Sequence, residues 1–266
     1  MRTLALRSLL FTELFSVALC DFFGENIYVS ERMTWSDARD YCRMHHTDLS
    51  SINSQEEQDK LTELGQGGEN ADNCLLCLGI VGADSKKIWI GLYKDVSDNW
   101  KWSGGKNALF FLWMSPKESI QDQHCVAQTD EGWESVSCEE KFPFYCFHSS
   151  LVLVKENKTW EEALKHCHSL DKELVSLTSE SALTKALQTS RTASTSHVWS
   201  GLRYLSDSWL WVDGTLTENQ TWSQAQVPQC PAWSHHCGAL FQEEQQLESW
   251  DCADKLNFIC YVNGTS

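Results

Sequence analysis

The chain is short of positive charge and has no apolar run of membrane-spanning length. Its 266 residues carry 21 Lys and Arg against 37 Asp and Glu, a formal net charge of -16. No local basic patch offsets this excess, so nucleic acid and anionic membrane surfaces are excluded as natural partners, and the acidity is read as serving solubility. Beyond the N-terminus no segment approaches the ~20 apolar residues of a transmembrane helix. A nucleophile elbow, a phosphate-cradling glycine loop and zinc-protease spacing are all missing. Catalysis therefore has no foothold, and neither enzymatic activity, a cofactor nor a resident metal is expected.

What is there in excess is cysteine, at 12, and tryptophan, at 13. Most cysteines stand far from one another, unlike the paired short spacings of zinc modules, so disulfides formed in an oxidising compartment are expected. The N-terminus agrees with secretion. Arg2 and Arg7 precede a mostly apolar stretch from Leu9 to Leu19, interrupted by Glu13, and Ala18-Leu19-Cys20 offers a cleavage site. Residues 1–20 read as a signal peptide, leaving a soluble, secreted, extracellular product that starts near Asp21. Glycosylation sequons begin at Asn157, Asn219 and Asn263.

The chain repeats itself. Trp35 lies seven residues before Cys42, as Trp160 does before Cys167. Leu49-Ser50-Ser51-Ile52 returns as Leu174-Val175-Ser176-Leu177, and Trp89-Ile90-Gly91-Leu92 as Trp199-Ser200-Gly201-Leu202. Trp100-Lys101-Trp102 returns as Trp209-Leu210-Trp211, followed by Gly105 or Gly214, and Cys125, Cys138 and Cys146 match Cys237, Cys252 and Cys260. The order never breaks, so one domain is present twice, over 21–148 and 149–266. Within each copy, Trp35, Ala38 and Cys42, or Trp160, Ala163, Leu164 and Cys167, share a helical face. Thr159 with Glu162, and Ser54 with Glu57, have capping-box spacing. Short strands alternating Trp with polar residues follow, which makes the tryptophans mostly core, although exposed tryptophan also stacks on sugars.

The Trp-x₆-Cys helix, the Trp-Ile-Gly-Leu strand and the closing Cys-x₇-Cys with Pro143-Phe144-Tyr145 resemble the C-type lectin-like domain, over nearly the whole mature chain and twice. The pattern is similar to fish C-type lectins and to domains of the macrophage mannose receptor. The resemblance implies an α+β fold with two tandem domains, each of two helices and short antiparallel strands with a long loop region. It also implies four disulfides, Cys42 with Cys146, Cys125 with Cys138, Cys167 with Cys260 and Cys237 with Cys252. Each long-range bridge would contribute roughly 4 kcal/mol in the chain-entropy model.

Many members of this family bind sugar through Ca²⁺, using Glu-Pro-Asn or Gln-Pro-Asp in the long loop and Asn-Asp after a late tryptophan. Calcium takes six to eight oxygens, several from carboxylates. Here the first loop reads Met114-Ser115-Pro116-Lys117, with an ammonium that repels a cation, and Glu134-Ser135 follows Trp133. The second loop reads Val227-Pro228-Gln229, Leu247 takes the tryptophan position, and Glu248-Ser249 follows. His124 and His236 precede their cysteines where Asp is common. The usual calcium site therefore reads as broken in both copies. Against that, Glu118, Asp122, Glu134 and Glu248 leave carboxylates nearby, and Gln226 enters register if its loop shifts by one residue. The candidate ligand-contacting residues are Trp113, Lys117, Glu118, Asp122 and Glu134 in the first copy, and Gln226, Gln229, Trp233 and Glu248 in the second.

Cys74, Cys77 and Cys230 lie outside the eight framework cysteines. Cys74-Leu75-Leu76-Cys77 reads as a local or variable disulfide in an insertion, and Cys230 is the candidate for an intermolecular bridge making a homo-oligomer. His45-His46 and His235-His236 read as surface or loop residues. The function expected is recognition of a carbohydrate or glycoprotein ligand without the usual calcium chemistry. The alternative is a protein–protein interaction molecule, an inhibitor or oligomer subunit, that does not bind sugar. Two sites on one chain would give avidity if both are active, although the loops differ enough to make the copies unequal.

Overall fold

A computed structural model of the chain describes residues 23–67, 86–114, 123–217 and 234–261. In the first copy the order is β1 (Gly24–Met33), α1 (Trp35–His45), β2 (Asp48–Leu49), α2 (Gln55–Gly67), β3 (Ile88–Lys94), β4 (Trp100–Trp102), β5 (Cys125–Thr129), β6 (Gly132–Val136) and β7 (Phe142–Ser149). The second copy follows as β8 (Val152–Lys158), α3 (Trp160–His168), β9 (Glu173–Leu174), α4 (Glu180–Ser190), β10 (His197–Leu205), β11 (Ser208–Trp211), β12 (Cys237–Phe241), β13 (Gln246–Trp250) and β14 (Leu256–Tyr261). The sheets have matching orders, β1-β7-β3-β5-β6 and β8-β14-β10-β12-β13. In each the first and last strands of the copy pair antiparallel, and one parallel strand pairing, which sets Trp89 opposite Phe144 and Trp199 opposite Phe258, joins the middle.

Local chemistry explains the helix starts. Thr34 caps α1 by accepting from the Asp37 amide, and Thr159 with Glu162 forms the complete capping box of α3. Both helices then meet the sheet through the same tryptophan. Trp35 Nε1 donates to Ile90 O at 2.9 Å and Trp160 Nε1 to Ser200 O at 2.8 Å. The strand tryptophans answer in kind, Trp89 Nε1 donating to Met33 O and Trp199 Nε1 to Lys158 O, both at 2.9 Å. Each indole thus buries a large apolar area while satisfying its one donor. Trp35, Trp89, Trp102, Trp133, Trp160, Trp199, Trp209 and Trp211 are buried, as their repeat positions imply. The glycine after each strand tryptophan permits a close backbone approach. A Cβ on Gly91 would crowd Ser103 Oγ and Leu49 O, and one on Gly201 would crowd Val212 and Leu174 O. All four expected disulfides are formed: Cys42–Cys146, Cys125–Cys138, Cys167–Cys260 and Cys237–Cys252.

One start differs from its sequence pattern. Ser54 Oγ accepts from the Glu57 amide at 3.2 Å, but the Glu57 carboxylate does not return to Ser54. Its Oε2 accepts from the Asn53 amide at 2.7 Å, and its Oε1 accepts from Lys185 Nζ, also at 2.7 Å, and from Ser181 Oγ. Lys185 and Ser181 belong to the second copy, where α4 lays a polar face against the first. Gln188 Nε2 donates to Leu49 O at 3.0 Å, Ser149 and Thr189 share a 2.8 Å hydrogen bond, and Lys106 pairs with Glu180 at 2.8 Å. Phe23 adds an apolar anchor, stacking on Tyr261 and packing into the second copy's core.

Glu57 and Lys185 are each about 5% exposed, so the pair is desolvated. Burial alone would raise the Glu57 carboxyl; the Lys185 ammonium and the hydrogen bonds from Lys185, Ser181 and Asn53 outweigh it and leave its pKa lowered. Removing one partner strands the other charge. Lys185→Ala is expected to cost about 3–5 kcal/mol in denaturant unfolding, and pairing it with Glu57→Gln should recover part of that loss. Because the folded carboxyl titrates below its unfolded value, this stabilisation is present above about pH 4 and is lost as pH falls through the folded value. The acid limb of stability in Glu57→Gln should be correspondingly flatter.

Candidate functional site

The calcium-type positions fall on β6 and β13, and the strand registers show them to be equivalent. Ala127 opposes Glu134 and Ala239 opposes Glu248, while Gln128 opposes Trp133 and Leu240 opposes Leu247. Leu247 therefore does occupy the Trp133 position, and both are buried. In both copies the glutamate carboxylate is already engaged. Lys87 Nζ lies 2.9 Å from Glu134 Oε2, and His197 Nε2 lies 3.3 Å from Glu248 Oε2. Lys87 and His197 are themselves equivalent, each two residues before the strand tryptophan. Lys87 and His197 lie outside the family's usual ligand positions, so the motif carries no sign of this pairing. The repeat alignment carried the signal, since it aligns a nitrogenous side chain with a nitrogenous side chain there.

The two pairs differ in their surroundings. Lys87–Glu134 sits partly in solvent. His197 is buried between aromatic rings, 4.4 Å from Phe241 at 5° and 3.9 Å from Trp250 at 25°. Ser196 Oγ lies 3.0 Å from its Nδ1, and Gln246 Nε2 donates to Glu248 Oε1 at 3.1 Å. His235 also stacks on Trp250, at 6.4 Å.

Trp113 is half-buried. It lies 5.0 Å from Trp100, stacks on Phe111 at 5.8 Å and meets Trp133 edge-on, and its backbone bridges to Trp133, one residue from Glu134. It anchors the start of the long loop. His124 and His236 act through their backbone, accepting from the Lys94 and Tyr204 amides at 2.8 Å. Lys117, Glu118, Asp122, Gln226, Gln229 and Trp233 lie outside the described residues, as do Cys74, Cys77, Cys230, Asn219 and Asn263. Asn157 is exposed on edge strand β8. Among the described residues, the glutamates at the two calcium-type positions are both engaged by neighbouring side chains. Among the described residues no three His, Cys, Asp or Glu side chains converge as a metal group would require. No described helix is long and apolar enough to cross a membrane.

The Lectin C-type domain family matches residues 31–148 and 156–262, and the chain belongs to that family. Among curated proteins it is similar to the secretory phospholipase A2 receptor, at 23% identity over 272 residues in Oryctolagus cuniculus and 25% over 275 in Homo sapiens. These alignments cover 87% and 90% of this chain but 18% of each receptor, so the chain spans less than a fifth of the length of those relatives. Lithostathine-1-alpha of Homo sapiens is 29% identical over 134 residues, covering 48% of this chain and 70% of that protein. Among solved structures, human lithostathine matches 48% of this chain and 98% of its own at 24% identity, with a TM-score of 0.39. The Lectin C-type domain is a recognition fold rather than a catalytic one, and both copies in this chain belong to it.

Truncating the two partners should have unequal consequences. Lys87→Ala removes a solvent-screened pair and is expected to cost at most about 1 kcal/mol. His197→Ala empties a buried slot between two rings and is expected to cost about 2–4 kcal/mol. Equal losses in chemical denaturation would contradict this account.

Proposed function

We propose that the chain is a secreted, glycosylated extracellular recognition protein that binds carbohydrate or glycoprotein ligands without calcium. The observation that carries this reading is the matched pair of internal contacts, Lys87 to Glu134 and His197 to Glu248, in two copies of a recognition fold. A carboxylate already engaged by a neighbouring side chain is a poor calcium ligand, and the Lys87 ammonium beside Glu134 is repulsive to a cation. Disulfide bonding throughout agrees with an oxidising compartment.

A protein ligand for the first copy is favoured by a separate observation. Leu109, Phe111 and Met114 are exposed in an apolar run that leads into its long loop. By spacing from Gly105 and Gly214, the second copy has Glu218, Gln220 and Ser223 there, with the Asn219 sequon among them. Apolar surface of this kind suits a protein better than a sugar, and a glycan at the matching place would keep the second copy out of the same contact.

Thermal unfolding of the secreted protein in calcium and in chelator tests the calcium-free reading. No shift is expected. A calcium site occupied a hundredfold above its dissociation constant would add about 2.7 kcal/mol, and a shift of that order, absent with magnesium, would overturn it. A glycan array probed in chelator then separates the two classes of ligand: retained glycan binding supports the lectin reading, and a blank array the protein one.

A further inference from the structure

Between the copies lies a cleft of about 610 Å³, lined by Glu25 at the start of β1, Glu57, Lys60 and Leu64 of α2, His148 at the end of β7, and Lys185 of α4. Its size falls within the range of small-molecule sites. We infer that this cleft is a second ligand site, shared by both domains, that takes a monosaccharide-sized molecule bearing a carboxylate or sulfate. The inference deepens the recognition proposed above by moving one binding site away from the long loops.

Lys185 is the most deeply buried cation of the lining. An ammonium carries three donors. Among the described residues, the hydrogen-bond acceptor of Lys185 Nζ is Glu57 Oε1, with the Phe147 ring 5.6 Å away. Two N–H bonds of a side chain only 7% exposed are thus left for an acceptor in the cleft. Buried donors are rarely left unused in folded proteins. Glu57 cannot compete for that role, because its oxygens already take hydrogen bonds from Lys185, Ser181 and Asn53.

The rim repeats the same polarity. Lys60, paired with Glu56 at 3.3 Å on the helix surface, and His148 bring further donors. His148 meets His46 edge-on at 5.7 Å, and His45 and His148 both act on His46 as like charges. In a chain of net charge -16, this is a local concentration of nitrogen donors. Two carboxylates line the cleft: Glu57 is taken up by Lys185, and Glu25, opposite His148 in the β1–β7 register, is the one that opposes an acidic ligand. Leu64 supplies an apolar wall of the kind that packs against the carbon face of a sugar ring. Acceptor oxygens with one negative charge, on a ring small enough for the cleft, are what these groups select.

The test is isothermal titration and saturation-transfer NMR of the full chain with N-acetylneuraminic acid, glucuronic acid and galactose 6-sulfate, with glucose as the neutral control. At least one acidic sugar should bind and glucose should not. Lys60→Ala and His148→Ala, both rim changes, should each weaken binding roughly tenfold, the loss of one charge-assisted hydrogen bond. Glu25→Gln should tighten it a fewfold by removing the opposing charge. Failure of every acidic sugar to bind better than glucose would overturn the inference, as would binding that ignores all three substitutions. If the cleft variants keep the wild-type glycan-array profile, the cleft is wrong while the recognition reading stands. A blank array beside substitution-sensitive binding of the acidic sugar would leave the cleft standing and sink glycan binding at the long loops.

Discussion

The bridge from the first helix of each copy to its closing strand is the constraint on which the rest depends. Cys42–Cys146 and Cys167–Cys260 span 104 and 93 residues, and closing loops of that length removes about 4–5 kcal/mol of chain entropy from the unfolded state. The bridge holds the helix against the strand where the two ends of the copy pair. From there the tryptophan at the helix start reaches a carbonyl on the central strand, and that strand's own tryptophan reaches back to the chain just before the helix. A ring of covalent and hydrogen-bonded contacts thus encloses each core, and the loops between β4 and β5, or β11 and β12, are hung from it.

Duplication kept that ring and let the chemistry on it diverge. The same register position carries glutamate in both copies, but one is paired to a lysine in partial solvent and the other to a histidine stacked in an aromatic sandwich. The same stretch before the long loop is apolar in one copy and holds a sequon in the other. α4 has gone furthest. Its buried Thr184, Lys185 and Gln188 would be out of place under an ordinary helix, and they are buried because that face meets the first copy rather than its own sheet. The two domains are joined by a polar interface whose geometry is set by directional bonds, with Phe23 supplying the apolar contact.

Much of this was legible in the residues. The order of the repeat, the cysteine pairing implied by the family resemblance and the core role of most tryptophans all appear in the structure. So does the place of Leu247 at the Trp133 register. The Ser54–Glu57 spacing shows where such reading stops. Local spacing licensed a capping box in both α2 and α3, and only α3 has one, because Glu57 faces a lysine 128 residues away. Trp113, a candidate for touching ligand, is half-buried against Trp100, Phe111 and Trp133, contacts that no local spacing shows.

By itself the amino-acid sequence determined the fold and the duplication, since periodicity, covalent pairing and residue identity are properties of the chain read in order. Tertiary structure decided what the surviving carboxylates do. Whether Glu57, Glu134 and Glu248 are free to meet a ligand depends on which side chain stands within about 3 Å, and electrostatic pairing at that range falls off too steeply to be read from spacing along the chain. The seam between the domains, its buried ion pair and its cleft exist only once both copies are folded against each other.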